Sequence, residues 1–312
     1  MTDAGTARVL TLAAVAAAGA LASSASIAQG SLAFVRESVC PDNAPVVFHA
    51  CALAAAREFD PPRTPDGRPD LDGAWILPNG QAGGAYEDLE EHPKTLDDLG
   101  GPTAIVDPAD GRLPIRRWAD ERRRTHPQEF FHHNAACLQS GVPNAMYHGG
   151  PRLFQQSEDH LAILTYNSHG FRIIPFDRSA RPSDAIRLWN GISNGHWEGN
   201  TLVIETTNLN GLPWLDQRGR FLTQDAHVVE RITLIDRNTM HYAATITDPN
   251  VFTRPFTIAL AYRRSTNEHY EMQELACYEN NEALMRISRA AGMRVFTGIS
   301  PAEARAAEEA SQ

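Results

Sequence analysis

Acidic side chains occupy positions of this 312-residue chain at which the strand pattern predicts an apolar interior. In the predicted strand 228–235, Glu230 lies on the same face as the apolar residues, because alternate side chains point to one side of a strand. Asp248, just after the predicted strand 240–247, lies on the same face as Tyr242. Burying a carboxylate costs free energy unless the group is paired or hydrogen-bonded. A carboxyl group in an apolar cavity has a raised pKa and can act as a general acid or base. The pattern therefore predicts proton-transfer chemistry inside a β structure.

Other polar residues fall around these acids in the predicted strands and turns. Asn208 shares a face with Leu202 and Ile204, and Glu274 shares one with Tyr270 in a predicted last strand. We expect Glu230, Asp248, Tyr242 and His196 to form the catalytic set, in which the two acids transfer protons. The residues expected to orient or bind the substrate are Arg152, Tyr166, His169, Arg172, Trp189, Asn208 and Glu274.

Glu230 also has a structural interpretation. An arginine such as Arg172 or Arg254 could pair with its carboxylate and fix the wall of the β structure. The acid would then stay ionised and take no part in catalysis. The sequence leaves both interpretations open.

A series of β-hairpins must position these residues. The clearest is the turn Glu198-Gly199-Asn200 between alternating segments, which is typical of a tight hairpin. Three more hairpins are predicted, and the strand pairs are 160–166 with 171–176, 228–235 with 240–247, and 256–262 with 269–277. Eight antiparallel strands are enough to close a barrel, so we expect a mainly all-β protein. Helices are predicted at 118–125 and 282–289.

The first 28 residues predict the compartment. Arg8 precedes an apolar run, 9–22, that is too short to span a bilayer but has the length of a signal-peptide core, and Ser26-Ile27-Ala28 fits a cleavage site. We expect export to the bacterial periplasm or beyond, with no membrane span after cleavage; an uncleaved anchor is the alternative. The remaining chain divides into an N-terminal segment with a Pro-rich linker (29–70), a barrel domain (71–295) and a polar tail (296–312).

Four cysteines follow the predicted signal peptide. An even number in an exported protein favours disulfide pairing, for which three connectivities exist. We prefer Cys40 with Cys51 and Cys137 with Cys277, of which the second would tie the middle of the chain to its last predicted strand.

Several classes of function are not indicated. A formal net charge of -10 argues against nucleic-acid binding, and the basic cluster between Arg116 and Arg124 is interrupted by acids and indicates a solvated helix face. A ligand set of His133, His148, His169 and His196 is imaginable, but no metal-binding spacing supports it. Neither a nucleotide-binding motif nor a nucleophile elbow occurs. We therefore expect no metal and no cofactor.

Five sequence motifs, in a fixed order, resemble those of a known protein family. They are Pro69-Asp70-Leu71-Asp72-Gly73-Ala74-Trp75, Asp107-Pro108-Ala109-Asp110-Gly111, Trp197-Glu198-Gly199-Asn200-Thr201-Leu202-Val203, Val229-Glu230-Arg231 and Ala276-Cys277-Tyr278-Glu279-Asn280. In this order, over roughly residues 63–285, they resemble an exported bacterial family of hypothetical proteins, in which Asp is usual at the position of Asn200. The resemblance implies an antiparallel calycin-like or lipocalin-like β-barrel, and it implies no particular reaction.

Three functions follow as hypotheses. The lead is an exported enzyme without a redox cofactor, a lyase, isomerase or hydrolase that acts on a hydrophobic or aromatic substrate. The alternative is a periplasmic binding or carrier protein that holds an apolar ligand in the same cavity. The third is a cell-envelope interaction protein with an exposed apolar patch. The sequence predicts no oligomeric state.

Overall fold

Antiparallel strands make up most of the fold in the computed structural model of this protein. The structure describes residues 33–78, 85, 87–96, 100–166, 170–177, 183, 185–267, 269–272 and 276–311. The chain divides after Ala33, and Phe34–Gln312 forms one compact unit. The predicted signal peptide lies outside the described residues.

The strands and helices of this unit are as follows. The strands are β1 (Gly73–Ile76), β2 (Ile105–Asp107), β3 (Phe130–Phe131), β4 (Arg152–Gln156), β5 (His160–Thr165), β6 (Gly170–Pro175), β7 (Ile192–Glu198), β8 (Thr201–Thr207), β9 (His227–Asp236), β10 (Thr239–Thr247), β11 (Phe256–Arg264) and β12 (Arg294–Val295). The helices are α1 (Pro45–Glu58), α2 (Arg117–Arg123), α3 (His126–Glu129), α4 (Asn144–Tyr147), α5 (Cys277–Ala290) and α6 (Pro301–Ser311).

One sheet curves into a nearly closed barrel. Its order is β6-β5-β4-β1-β11-β10-β9-β8-β7, with β2 paired to β11 outside this path. Neighbours along the path run antiparallel, which confirms the predicted fold class. The strands β3 and β12 form a separate parallel pair.

The hairpin of β7 and β8 turns tightly, as its sequence predicts. Trp197 lies opposite Leu202, and only Gly199 and Asn200 connect the two strands. Gly199 has a φ of 61°, which favours glycine and suits the first central position of a type II′ turn.

The predicted strand 269–277 is wrong. Residues 269–272 form no strand, and α5 begins at Cys277. Strand β1 occupies the edge of β11 instead, with Trp75 opposite Arg264, so the chain that leaves β11 finds no free edge there. The sheet gains β1 and β4, in segments where no strand was predicted.

Helices cover parts of the barrel. Helix α1, in the N-terminal segment, packs on the outer face of the sheet. Its residues Phe48 and Ala52 form a hydrophobic cluster with Ile235 of β9 and Ala261 of β11. The two predicted helices correspond to α2 and α5, and the segment expected to be a polar tail forms α6. No helix among the described residues is long and apolar enough to cross a membrane.

Large side chains fill the barrel interior. Trp75, Phe154, Tyr242 and Tyr262 are fully buried there and belong to one core cluster with the inward aliphatic residues of β8 to β11. Their burial supplies the hydrophobic free energy that holds the strands together.

Two disulfide bonds link the described chain. They join Cys40 to Cys51 and Cys137 to Cys277, as predicted, although Cys277 lies at the start of α5 and not on a strand. Disulfides of this kind fit an oxidising compartment.

Candidate functional site

Glu230 and Arg172 form an ion pair inside the barrel, where both side chains are buried. Two parallel hydrogen bonds join them, from Arg172 Nη1 to Oε1 at 3.0 Å and from Nη2 to Oε2 at 2.6 Å. The Tyr242 hydroxyl donates to the same Oε1 at 3.0 Å. Burial, together with the adjacent carboxylate, raises the pKa of Tyr242 well above its usual value, so the phenol keeps the proton that it donates. The inward orientation predicted for Glu230 and Tyr242 is confirmed.

Arg172 also bridges the seam of the barrel. The edge strands β6 and β7 lie side by side there and form no ladder with each other. From β6, Arg172 Nη2 donates to Ser193 Oγ on β7 at 3.1 Å and to Thr206 Oγ1 on β8 at 3.3 Å. Gly195 of β7 permits the close approach, because a Cβ atom at this position would lie 3.0 Å from the Phe176 ring.

Asp248 lies beyond the end of β10, away from Glu230. Glu230 is opposite Ala244, so four residues of strand, about 13 Å, separate the two acids along the sheet. The Asp248 carboxylate accepts hydrogen bonds from the Thr223 amide at 2.6 Å and the Asn250 amide at 3.0 Å. Burial raises the pKa of Asp248, and the Thr223 hydrogen bonds act against that rise. The structure therefore does not bring the two predicted proton-transfer groups together.

Arg152 attaches the short helix α4 to the barrel. Its guanidinium donates to the backbone carbonyls of Ala145, His148 and Gly150. The Tyr262 hydroxyl donates to the carbonyl of Met146, on the same short helix α4. The donors of Arg152 are thus used by the protein backbone.

His196 lies on the outer side of β7. Its side chain is partly exposed, and its Nε2 is 3.3 Å from Glu198 Oε1. Trp197, the next residue, packs against the interior core. His196 therefore faces away from Glu230.

The other predicted binding residues have separate positions. Asn208, with a φ of 57°, donates from its side chain to the carbonyl of Ile186 at 3.1 Å and so holds the segment before β7. Tyr166 packs beside Gly150, and Trp189 lies in the turn before β7. His169 and Glu274 lie outside the described residues.

A histidine cluster lies near α4. The rings of His132 and His133 are 4.0 Å apart, and burial lowers the pKa of His132 and that of His148 to about 3. His133 Nδ1 accepts a hydrogen bond from the Trp214 amide at 3.2 Å. Among the described residues, no group of three or more His, Cys, Asp or Glu side chains could hold a metal ion. His133 is buried and His132 and His148 are partly buried, and the lowered pKa values keep all three imidazoles neutral near pH 7.

A cavity of about 790 Å³, here called the groove, lies outside the barrel. Its walls are α2, α6 and the β3–β12 pair. Its apolar floor is formed by Trp118, Phe130, Phe296 and Ile299. At its rim, the guanidinium carbons of Arg122 and Arg294 lie 5.6 and 5.2 Å from the centre of the Phe130 ring.

The acidic groups of the groove already have partners. Glu129 pairs with Arg122 at 3.2 Å and lies 3.8 Å from Arg294. Glu303 accepts from the amide and hydroxyl of Ser300, at the start of α6. The aromatic floor is therefore the part of the groove that is left for a ligand.

Sequence reasoning missed the groove. It interpreted the basic cluster of α2 as a solvated face, although Trp118 and Arg122 are four residues apart and share one face of that helix. A large aromatic residue on a charged helix was the available signal. The opposite wall comes from residues 294–311, and no sequence pattern placed these beside α2.

Comparison of the chain with protein-family models and with curated proteins finds no match. A function can therefore be inferred only from the residues described above.

Proposed function

We propose that this protein binds a hydrophobic or aromatic small molecule in the groove, as an exported binding or carrier protein. The supporting observation is the groove itself, since its volume of about 790 Å³ falls within the range typical of small-molecule sites, roughly 300 to 1,000 Å³. Trp118, Phe130 and Phe296 line its floor and make it apolar, which suits an aromatic ligand.

The barrel interior supports this choice of site. Glu230, Arg172 and Tyr242 satisfy one another by hydrogen bonds, and large side chains surround them. An apolar ligand in the barrel would have to displace that packing. A ligand in the groove displaces only water.

The disulfide bonds and the signal-like N-terminus support export. Disulfides persist in the periplasm and outside the cell, where a carrier for poorly soluble molecules would act. The short apolar run 9–22, followed by a small-residue cleavage pattern, agrees with that location.

The competing proposal is the acid–base enzyme. In its favour, Glu230 lies beside a phenol and near two hydroxyls, and Arg172 Nε has no hydrogen-bond partner among the described residues. A substrate would have to take the place of Arg172 against the carboxylate. Asp248, about 13 Å away along the sheet, would then act on a different part of the substrate or not at all.

The test is a titration with a neutral aromatic probe, N-phenyl-1-naphthylamine, followed by its fluorescence. Ala310 lines the groove from α6, so Ala310→Trp should fill part of the cavity and weaken probe binding at least tenfold. The matched control is Ala302→Trp, because Ala302 is exposed at the start of the same helix and does not line the groove.

Equal binding by the Ala310→Trp variant and the native protein would contradict the groove as the site. Native mass spectrometry then separates carrier from enzyme. A hydrophobic ligand recovered chemically unchanged supports the carrier. A product of altered mass or stereochemistry that disappears in Glu230→Gln, under conditions in which that variant is still folded, supports the enzyme.

A further inference from the structure

A pocket of about 370 Å³, lined by both polar and apolar side chains, lies between α1 and the outer face of the barrel. It shares no lining residue with the groove. Helix α1 contributes His49, Leu53, Ala56 and Arg57, whose spacing places them on one face of the helix. This pocket is referred to below as the outer pocket.

Strands β8 to β11 form the floor of the outer pocket. The floor residues are Thr201, Arg231, Thr233, His241, Ala243, Thr245 and Thr257. Ala56 on the helix and Ala243 on the sheet are both small, and the space between the two elements is left open. The threonines already form cross-strand pairs, Thr201 with Thr233 at 2.8 Å and Thr245 with Thr257 at 2.9 Å.

Two arginines supply the charge of the outer pocket. No carboxylate occurs among the described residues that line it. Arg57 is exposed and forms no ion pair with another described residue. Arg231 pairs with Glu198 at 2.7 Å, but both side chains are about half exposed, so this pair is weak and leaves other N–H groups of the guanidinium available.

A histidine pair forms one wall. His49 Nδ1 lies 2.9 Å from His241 Nε2, which fixes both rings. Burial lowers the pKa of His49 and lowers that of His241 to about 3, so both imidazoles are neutral near pH 7. The two imidazoles therefore give this wall polar nitrogen atoms but no charge.

We propose that the outer pocket binds a small hydroxylated oxyanion of sugar-phosphate size. Arg57 and Arg231 would bind its anionic group, and the threonine hydroxyls, the histidine imidazoles and the amide of Asn200, which also lines the pocket, would bind its sugar. Guanidinium forks match the oxygen geometry of phosphates and carboxylates. A water molecule occupies about 30 Å³ of liquid, so a bare inorganic anion, a few times larger, would leave most of the pocket unfilled. The proposal is independent of the groove and its ligand.

Isothermal titration calorimetry on the full disulfide-bonded protein tests the proposal, with glucose 6-phosphate, glucuronate, glucose and inorganic phosphate as probes. We expect glucose 6-phosphate or glucuronate to bind at least tenfold more tightly than glucose and than inorganic phosphate. The first two probes distinguish a phosphate from a carboxylate as the anionic group. The affinity should fall with ionic strength, because the anion contacts exposed charges.

Three variants locate the binding. Arg57→Gln and Arg231→Gln each remove one cation, and Asn200→Asp adds a negative charge to the lining; each should weaken binding of the anionic probe at least tenfold. Arg117→Gln is the control, because Arg117 is an exposed arginine on α2 that lines neither the groove nor the outer pocket. Ala310→Trp, in the groove, should also leave this affinity unchanged.

The proposal is overturned if no anionic probe binds at millimolar concentration, if glucose binds as tightly as its phosphate, or if the three variants, folded as judged by their melting temperatures, bind like the native protein. Loss of binding in Arg117→Gln as well would indicate general charge attraction and would equally overturn it.

Discussion

At the scale of the residue, the alternation of side chains along a strand predicts the orientation of Glu230 but not its ion-pair partner. The alternation of strand 228–235 predicts that its side chain points inward, and it does. The sequence left Arg172 and Arg254 as equal candidates for its partner. Only closure of the barrel brings β6 near β9, across 58 residues of chain, whereas Arg254 pairs with Asp107.

Replacing Glu230 by Gln tests the buried ion pair. The variant leaves the Arg172 guanidinium buried without a counter-charge, and breaking a buried pair in this way costs about 3 to 5 kcal/mol. We expect urea unfolding to show a loss of stability of that size. The control is Glu121→Gln, which breaks an exposed pair with Arg117 and should change little. Native-like stability in the Glu230 variant would contradict the structural role.

At the scale of the element, hairpins between neighbouring strands were predictable from sequence, but which of two distant segments pairs with the edge of a given strand was not. The β7–β8 hairpin follows from Gly199 and the alternation around it, since both signals lie within a few residues. The predicted strand 269–277 had no such support. Its expected partner edge on β11 belongs to β1, which comes almost 200 residues earlier in the chain, so no local pattern could exclude the pairing.

The two disulfides should differ in their contribution to stability. Cys137 and Cys277 close a loop of 140 residues, worth about 5 kcal/mol in the chain-entropy model, whereas Cys40 and Cys51 close one of 11 residues, worth about 3 kcal/mol. We therefore expect the double serine variant of the long-range pair to lose more free energy of unfolding in urea than that of the short-range pair. An equal or larger loss in the short-range variant would contradict this order.

At the scale of the whole molecule, buried and partly buried histidines make stability depend on pH. Burial lowers the pKa of His126 to about 4 and those of His132, His148 and His241 to about 3. Between pH 6.5 and these values the unfolded chain binds protons that the folded chain does not, so stability falls as pH falls, by up to about 1.4 kcal/mol per pH unit for each histidine. The raised pKa of Asp248 opposes this trend over the interval between its unfolded value of 3.8 and its higher folded value.

Urea unfolding at pH 7.5, 6.0 and 5.0 measures this dependence. We expect a steady loss of stability below about pH 6.5. His241→Gln should make the loss shallower, and replacement of the partly exposed His196 serves as the control. A pH-independent free energy of unfolding over this range would show that the folded and unfolded chains bind equal numbers of protons, and would contradict the lowered pKa values of the histidines.

The location of the groove is also a property of the whole molecule. Residues 118–130 form one side and residues 294–311 the other, and these segments are more than 160 residues apart in the chain. Composition and periodicity describe each segment alone. The fold class could therefore be predicted from sequence, whereas the concave surface best suited to a ligand could not.

The seam bridged by Arg172 has a consequence for how the chain folds. The strands β4 to β6 form one local meander and β7 to β11 form another, and each can assemble from contacts close in sequence. Glu230 belongs to the second meander and Arg172 to the first, so neither charge has its partner until the two meanders meet. An arrangement that buries either side chain before the seam closes contains an uncompensated buried charge, which disfavours such partly closed forms and makes the final closure cooperative.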